Sequence, residues 1–458
     1  MFFKRISFLA VLSLCGIAAA FAPMEAEAQQ LSFIRDAEIE NTIRMYATPL
    51  FEQAGVDPAA VHIHLVEDKS INAFVAEGLN LFINTGLIMK TDNAGELIGV
   101  IAHECGHIAG GHLLRGADAI GKAQDISLAA TLLGLAAAVA SGRGDVGSAV
   151  MMGGNDSAVR NYLAFSRGIE ASADTAALTF LDNLHMSSRG FLTFMEKLEN
   201  QEMLSTSMQD PYVRTHPLTS DRIDEIRHHV ETSPYSDVPV PPSYVEPHRR
   251  MVAKLYAFMN PPISTLMRYS EKDTSIEARY ARAIAYYREP DLGHAVPLID
   301  GLIAQRPNDP YFHELKGQML FENGRATEAV PEYQKAVALL PGNALLEQEL
   351  GQVEVETENP ALLPEAQKVL KDSTASDPES AEAWRLLSIA YGRGGHDAQA
   401  EAALAEYSVL VGQWKDAIYH ADKAAKGLKR GTPDELKLED VRVQAEQGMA
   451  AQAAQRQN

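Results

Sequence analysis

The stretch His103-Glu104-Cys105-Gly106-His107 constrains the fold of this chain more than any other. It lies in an apolar run, with Leu97 to Ala102 before it and Ile108-Ala109 after it, and the pattern predicts a helix buried in a domain core. Residues four apart on a helix share a face, so both imidazoles point the same way. Two neutral imidazoles so placed can hold one zinc ion at about 2.0–2.1 Å. Glu104, beside His103, is positioned to take a proton from an attacking water rather than to bind the metal. Taken alone, the pentapeptide also fits an amphipathic helix with two histidines near its surface.

A catalytic zinc takes three protein ligands and keeps one position open. One class of zinc peptidases supplies a histidine as the third, in the pattern H-E-x-x-H-x-x-G-x-x-H. Here Gly110 fits, but Leu113 stands in the last place and His112 falls one residue short. The other solution, that of the gluzincins, is a glutamate from a second helix. Glu170 fits it, with Asp174 four residues later on the same face. Asp174 is placed to accept a hydrogen bond from the free ring nitrogen of His103, which would fix its tautomer. The alternative for Glu170 and Asp174 is an acidic, solvated helix face.

H-E-C-G-H, then E-A-S-A-D from Glu170 to Asp174, then Thr215-His216-Pro217 with a downstream Arg222, resembles the zinc metallopeptidases of the HtpX and CAAX-prenyl-protease family. Asn72-Ala73-Phe74 and Asn84-Thr85-Gly86-Leu87 match that family's edge strand and its entry to the active-site helices. The resemblance covers roughly residues 35 to 230. It implies a gluzincin-type α+β domain with a small sheet and one zinc ion per chain on His103, His107 and Glu170. It also implies Glu104 and His216 as catalytic residues, supported by Asp174 and Arg222. Two roles stay open for His216: steadying the oxyanion, or capping the zinc in a resting state. Arg222 would partner the oxyanion or the loop. The plainer alternative for His216 is a loop histidine stiffened by Pro217. Asn72, Ala73 and Phe74 are candidates for holding the substrate backbone as an added strand. A structural hairpin accounts for them equally well.

The second half of the chain repeats. Pro310 to Asn343 spans 34 residues, the tetratricopeptide period, with Gly317, Leu320, Gly324, Ala329, Tyr333, Ala336 and Pro341 at small, apolar and terminating positions. Ala381 to Trp414 repeats the pattern with Trp384, Leu387, Tyr391, Gly395 and Ala400. Residues 276–309 and 344–380 fit more loosely, the latter with a short insertion before Ala366. One helix pair cannot bury its apolar face, so such units stack into an all-α solenoid.

Lys4 and Arg5 precede an apolar stretch and the small residues Ala26-Glu27-Ala28, as in a secretory signal peptide. Its removal leaves Cys105 as the sole cysteine, expected to be a small packing residue. The expected organisation is a signal peptide at 1–28, a zinc metallopeptidase domain at 31–235 and a Pro-containing linker at 236–269. A tetratricopeptide domain at 270–440 and a frayed or disordered tail at 441–458 follow. Within the first domain, Phe33 to Phe51 reads as an amphipathic helix, and Val61 to Val66, Ile71 to Val75 and Leu79 to Asn84 read as strands. His62 and His64 share a strand face and are expected to be solvated there. Residues 126–154 are apolar and Gly-rich. As a helix the apolar part spans only about 22 Å, short of a bilayer core, so a buried helix or a flap beside the active site is expected.

These readings combine into a mainly α protein, an α+β gluzincin-type domain followed by a solenoid. They point to a periplasmic zinc endopeptidase that cleaves misfolded or stalled envelope proteins. The resemblance adds a role in outer-membrane assembly and quality control. The alternative is a chaperone or assembly scaffold acting through its repeats. Expected partners are polypeptide substrates and, through the repeats, barrel-assembly machinery, with peripheral membrane contact and no transmembrane helix in the mature chain. A net charge of −21 argues against nucleic acid.

Overall fold

The computed structural model describes residues 32–76, 79–112, 156–199, 201 and 209–455. The expected signal peptide and the apolar, Gly-rich segment 126–154 lie outside them, as do Glu77-Gly78 and Leu113. A four-stranded sheet is built from β1 (Phe33–Ile34), β2 (His62–Val66), β3 (Ala73–Ala76) and β4 (Asn80–Asn84), in the order β1-β2-β4-β3. β2 and β4 run parallel, while β1 and β3 are antiparallel to their neighbours, which leaves β3 at an edge. Leu65, Ala73, Val75, Leu81 and Ile83 face the core. The other face carries His64, Phe82 and Phe74 in a stack, with ring centroids 4.7 and 4.8 Å apart. His62 is exposed on that face, and His64 is tied to Asn80 at 2.7 Å.

The helix expected from Phe33 starts later. Asp36 caps helix α1 (Ala37–Gln53) by accepting the Ile39 N–H at 2.9 Å, and the two residues Phe33–Ile34 pair with β2 instead. A side chain that satisfies an unpaired N–H at a helix start overrides helical spacing that continues upstream. After the short helix α2 (Thr85–Lys90) comes α3 (Ala94–Ala109), the helix of the histidine motif. Asn93 caps its start by accepting the Glu96 N–H at 3.2 Å, and Glu96 reaches back to accept the Asp92 N–H at 3.0 Å. Glu96 is fully buried, and Lys197 answers its charge at 2.6 Å. Helix α4 (Asp156–Asn183) crosses α3, and α5 (Arg189–Leu198), α6 (Pro211–Thr215) and α7 (Ser220–Thr232) complete this half.

The stretch expected to be a Pro-containing linker contains two helices, α8 (Pro242–Met259) and α9 (Pro262–Arg268). Each begins on a proline, and proline fits the first helical position, where its missing N–H has no intrahelical partner to lose. Five helix pairs follow: α10 (Ile276–Arg288) with α11 (Leu292–Gln305), α12 (Pro310–Glu322) with α13 (Ala326–Leu339), α14 (Ala344–Glu356) with α15 (Leu363–Ser376), α16 (Ala381–Arg393) with α17 (Asp397–Leu410), and α18 (Trp414–Ala425) with α19 (Pro433–Gln455). The insertion before Ala366 lengthens the turn between α14 and α15. The tail expected to fray is helical to Gln455 and buries Val441 and Ala445. No helix among the described residues is long and apolar enough to cross a membrane.

The two halves share a buried seam. Ala37 packs against Ala336, Leu345 and Leu346. Glu38 is 2% exposed and receives Arg250 at 2.6 Å and the Tyr280 hydroxyl at 2.8 Å. Lys254, 1% exposed, reaches Asp36 at 2.8 Å, Glu38 at 3.4 Å and Glu314 at 3.8 Å. Arg250 also pairs with Asp309. Carboxylates outnumber cations here. Burial works against the charge on Glu38, but Arg250 and Lys254 overcome it and hold the group below the usual carboxylate range. Burial pushes Glu349 up to about 8, Lys254 opposes, and Asp36, Glu322 and Glu40 add to the rise. A carboxyl raised on folding binds its proton more tightly in the folded chain, so stability falls as pH rises from its unfolded value, near 4.5, towards about 8. Glu349→Gln is therefore expected to be more stable than the wild type at pH 8 and to flatten the loss of stability between about pH 5 and 8. Urea denaturation across that range checks it, and an unchanged slope would contradict it.

Candidate metal centre

Four buried side chains converge where α3, α4 and the residue after α6 meet: His103, His107, Glu170 and His216, with one ligand atom from each inside a 4.8 Å span. Helix geometry brings the first two together, their Nε2 atoms 3.1 Å apart. Glu170 comes from α4 because α3 and α4 cross closely at Gly106. A Cβ built there would lie 2.5 Å from the Ala173 carbonyl oxygen. With no side chain in the way, Glu170 Oε2 lies 3.3 Å from His103 Nε2, and Oε1 lies 3.5 Å from His107 Nε2. His216 Nδ1 stands 3.3 Å from His103 Nε2 and 3.2 Å from Glu170 Oε2.

A ring of polar contacts holds this cluster. His103 Nδ1 lies 2.9 Å from Asp174 Oδ1. Arg222 grips Asp174 through two bonds, Nε to Oδ2 at 2.6 Å and Nη2 to Oδ1 at 2.9 Å. Its Nη1 donates to the Pro217 carbonyl at 2.7 Å, which ties the Thr215-His216-Pro217 turn to α4. The other ring nitrogen of His107, Nδ1, is 3.1 Å from His112 Nδ1, one of the pair donating. His112 thus supports a ligand candidate from behind. Cys105 is buried in the core beneath, where burial pushes its thiol up.

Burial shapes the ionisation of His103, Glu104, His107 and Glu170. It pulls the His103 imidazolium down, but Asp174 and Glu170 more than reverse this and raise it to about 9. Burial takes His107 down to about 4, so this imidazole is a neutral lone-pair donor. Burial would raise Glu170, yet His216, His103 and His107 hold it well below the carboxylate range. Burial raises Glu104, and the His216 and His103 imidazoles oppose it only in part.

Glu104 is 1% exposed, and no side chain among the described residues hydrogen-bonds its carboxylate, which has only the Val75 backbone N–H on β3 close by. Its nearest basic neighbour is His216, with Nε2 3.5 Å from Oε1. Buried carboxylate oxygens without partners are costly, and a protein keeps them where something else is to meet them. Three imidazoles and a carboxylate beside such a group fit a divalent metal ion with an unligated base next to it.

The structure brings together six of the residues expected from the sequence: His103, Glu104, His107, Glu170, Asp174 and His216. Arg222 joins them through Asp174 and the turn, and its Nη1 also lies 3.4 Å from Glu170 Oε2. The expected substrate strand divides. Ala73, on the edge strand β3, accepts from His216 Nε2 at 3.3 Å through its carbonyl. Phe74 stacks on Phe82 on the opposite face of the sheet. Asn72 precedes the strand, and its buried Oδ1 has no partner among the described residues. Sequence reasoning did not find Tyr212, whose ring centroid lies 4.7 Å from that of His216. One turn upstream of His216, the shared-face rule for helices was the available signal.

Residues 34–230 match the model of peptidase family M48, and residues 277–344 match a tetratricopeptide repeat model. The chain is 26% identical to the β-barrel assembly-enhancing protease of Yersinia pestis, over 83% of this chain and 78% of that protein. It is 24% identical to the protein of the same name in Escherichia coli (strain K12), over 90% and 83% of the two chains. The metalloprotease LoiP of that strain is 29% identical over 42% of this chain and 71% of its own.

If Glu170 is the third ligand, Glu170→Gln is expected to weaken metal retention by about 10–100-fold or more, since a neutral amide replaces the one anionic donor. Metal content after dialysis against a graded chelator measures it, and wild-type occupancy would make another residue the ligand.

Proposed function

From a metallopeptidase domain of family M48 at residues 34–230 with tetratricopeptide repeats behind it, we propose that this chain is a zinc endopeptidase of the periplasm. It cleaves misfolded or stalled envelope proteins and serves outer-membrane protein assembly. The observation that carries the chemistry is the buried donor cluster with Glu104, its carboxylate free of side-chain partners, beside it. His103, His107 and Glu170 would hold the metal. Zinc suits a nitrogen-rich set of this kind, and when bound it supplies a Lewis acid that acidifies water and polarises a carbonyl.

The protein's own residues do the rest. Glu104 takes the proton of the attacking water and later delivers it to the leaving amine. Burial that raises its pKa makes it a stronger base once ionised and a competent acid once protonated. Asp174, locked by Arg222, keeps the His103 ring in one tautomer and orientation. The edge strand β3 offers backbone groups to an extended substrate, and the His216 contact with Ala73 O sets the distance from that strand to the cluster. Of the two roles open to His216, capping has the stronger support, because Nδ1 sits among the donor atoms. With His216 there, the chain rests in a closed form, and displacement of its turn would admit substrate.

The two relatives named for β-barrel assembly cover most of this chain, repeats included, which supports the envelope role. Repeats of this kind stack into an extended surface for other polypeptides, a means of choosing clients away from the metal. The second reading, a chaperone or scaffold, draws on the same surface.

Glu104→Gln is expected to retain metal and to lose cleavage of an unfolded polypeptide by about 10²–10⁴-fold. Wild-type digestion by this variant would end the proposed mechanism. In cells, outer-membrane assembly that proceeds normally with Glu104→Gln would move the assembly role to the repeats.

A further inference from the structure

We infer that Tyr212 is a further catalytic residue: its hydroxyl donates a hydrogen bond to the scissile carbonyl oxygen as that oxygen becomes an oxyanion. The inference deepens the proposed hydrolysis and rests on it.

Tyr212 is 1% exposed, and its Oη has no hydrogen-bond partner among the described residues. Burying a hydroxyl with no partner is unfavourable, and a phenylalanine would fill the same space without that cost. The ring itself is well packed, 4.7 Å from the His216 ring, 5.6 Å from Phe194 and 6.4 Å from His103. Packing therefore explains the ring and leaves the hydroxyl unexplained.

The surroundings show what kind of partner is wanted. The Tyr212 ring lies against His216, whose imidazole is 3.5 Å from Glu104 Oε1 and 3.2 Å from Glu170 Oε2. Glu104 has no side-chain hydrogen-bond partner among the described residues either, so the phenol and the carboxylate each flank the same imidazole without one. Oη is thus an unused donor beside the base that activates water. The reacting group that enters between them is an oxygen acceptor, and the carbonyl oxygen is the one that gains charge.

The tyrosine is also set in register with the strand that would carry substrate. Its backbone N–H donates to the Ile71 carbonyl at 3.1 Å, and the Ile71 N–H donates to Asp210 Oδ1 at 3.3 Å. Gln201 fixes Asp210 at 2.6 and 2.8 Å. Ile71 lies two residues before Ala73, whose carbonyl meets His216. One short helix, α6, with the residue after it, thus positions Tyr212 and His216 against the start of β3. A donor already in place when charge develops is what makes oxyanion stabilisation effective.

In the step itself, the water oxygen bonds to the carbonyl carbon and the C=O π pair moves to oxygen. Glu104 takes the water proton. When the C–N bond breaks, the π bond re-forms and the amine nitrogen takes the proton that Glu104 holds. Tyr212 lends its hydrogen bond throughout and transfers no proton.

The test uses full-length, metal-loaded wild type and Tyr212→Phe. It measures kcat, KM, the pH profile, metal content, thermal midpoint and, by calorimetry, affinity for a phosphinic peptide, whose tetrahedral phosphoryl oxygen mimics the oxyanion. The expected result is a kcat loss on the order of a hundredfold with KM little changed, and a matching loss of phosphinic-peptide affinity. Metal content should hold, and the thermal midpoint should be equal or higher, since no partner is lost. Wild-type kcat and inhibitor affinity would overturn the inference. So would a lowered midpoint or metal content, which would make the hydroxyl structural, or a displaced acid limb of the pH profile, which would place its action on Glu104. If Glu104→Gln remains active, the proposed hydrolysis fails. If Glu104→Gln is inactive and Tyr212→Phe runs at full rate, only the role of Tyr212 fails.

Discussion

The close crossing of α3 and α4 at Gly106 is the contact on which the rest of the metal centre depends. Two histidines on one helix give a metal two donors and no more. The third donor lies on a helix whose approach is limited by whatever side chain stands between them. At Gly106 there is none, and Glu170 reaches both imidazoles within 3.3 and 3.5 Å. A methyl group here would meet the Ala173 backbone, which cannot move aside as a flexible side chain would. The glycine inside the motif is therefore a packing requirement of the site, and the apolar residues around it supply the core that presses the two helices together.

Charge buried by that packing is answered locally. Asp174 and Arg222 form a bidentate pair between His103 and the turn of His216, so the orientation of one ligand candidate and the position of the turn are set by the same guanidinium. Glu96 and Lys197 do the same at the start of α3. The seam between the halves extends the pattern. Glu38, at the start of α1, meets Arg250, Lys254 and Tyr280, which belong to α8 and the first repeat helix. Breaking such a buried network strands charges that water cannot reach, so the peptidase half and the repeats are held in one arrangement. In the proposed function, that arrangement fixes where a polypeptide held by the repeats lies relative to the edge strand β3.

The groups left without partners are informative for the same reason. Nearly every buried polar atom of a folded protein is paired. Around the cluster, Glu104 lacks a side-chain partner and the Tyr212 hydroxyl lacks any among the described residues, and in the proposed function both meet reacting groups. A base, a donor and a set of metal ligands held apart from one another by a rigid core form a site that reacting groups complete. His216 stands among the ligand atoms, on a turn tied to β3 and to Arg222, where a shift of one turn would change access to the site.

The local chemistry of the site was legible in the sequence because helical periodicity is a short-range rule. His103, His107 and Glu104 follow from spacing alone, and Glu170 with Asp174 from spacing on a second helix. The 34-residue period likewise gave the helix pairs, since each pair is a local unit that must stack. Other features were not legible. Phe33–Ile34 joined the sheet because Asp36 caps α1 after them, and α8 formed in the proline-containing stretch because a neighbouring core accepted Met251, Val252 and Leu255. Phe74 turned away from the metal because strand side chains alternate and the register of β3 with β4 decides which face each takes. Tyr212, His112 and the seam around Glu38 join residues far apart in the chain or bound by no fixed spacing. The sequence by itself determined which donors the chain owns and which of them share a helix face. Only the tertiary structure decided which helices cross, how closely, and which buried atoms stay unpaired, because those depend on long-range packing that no local period encodes.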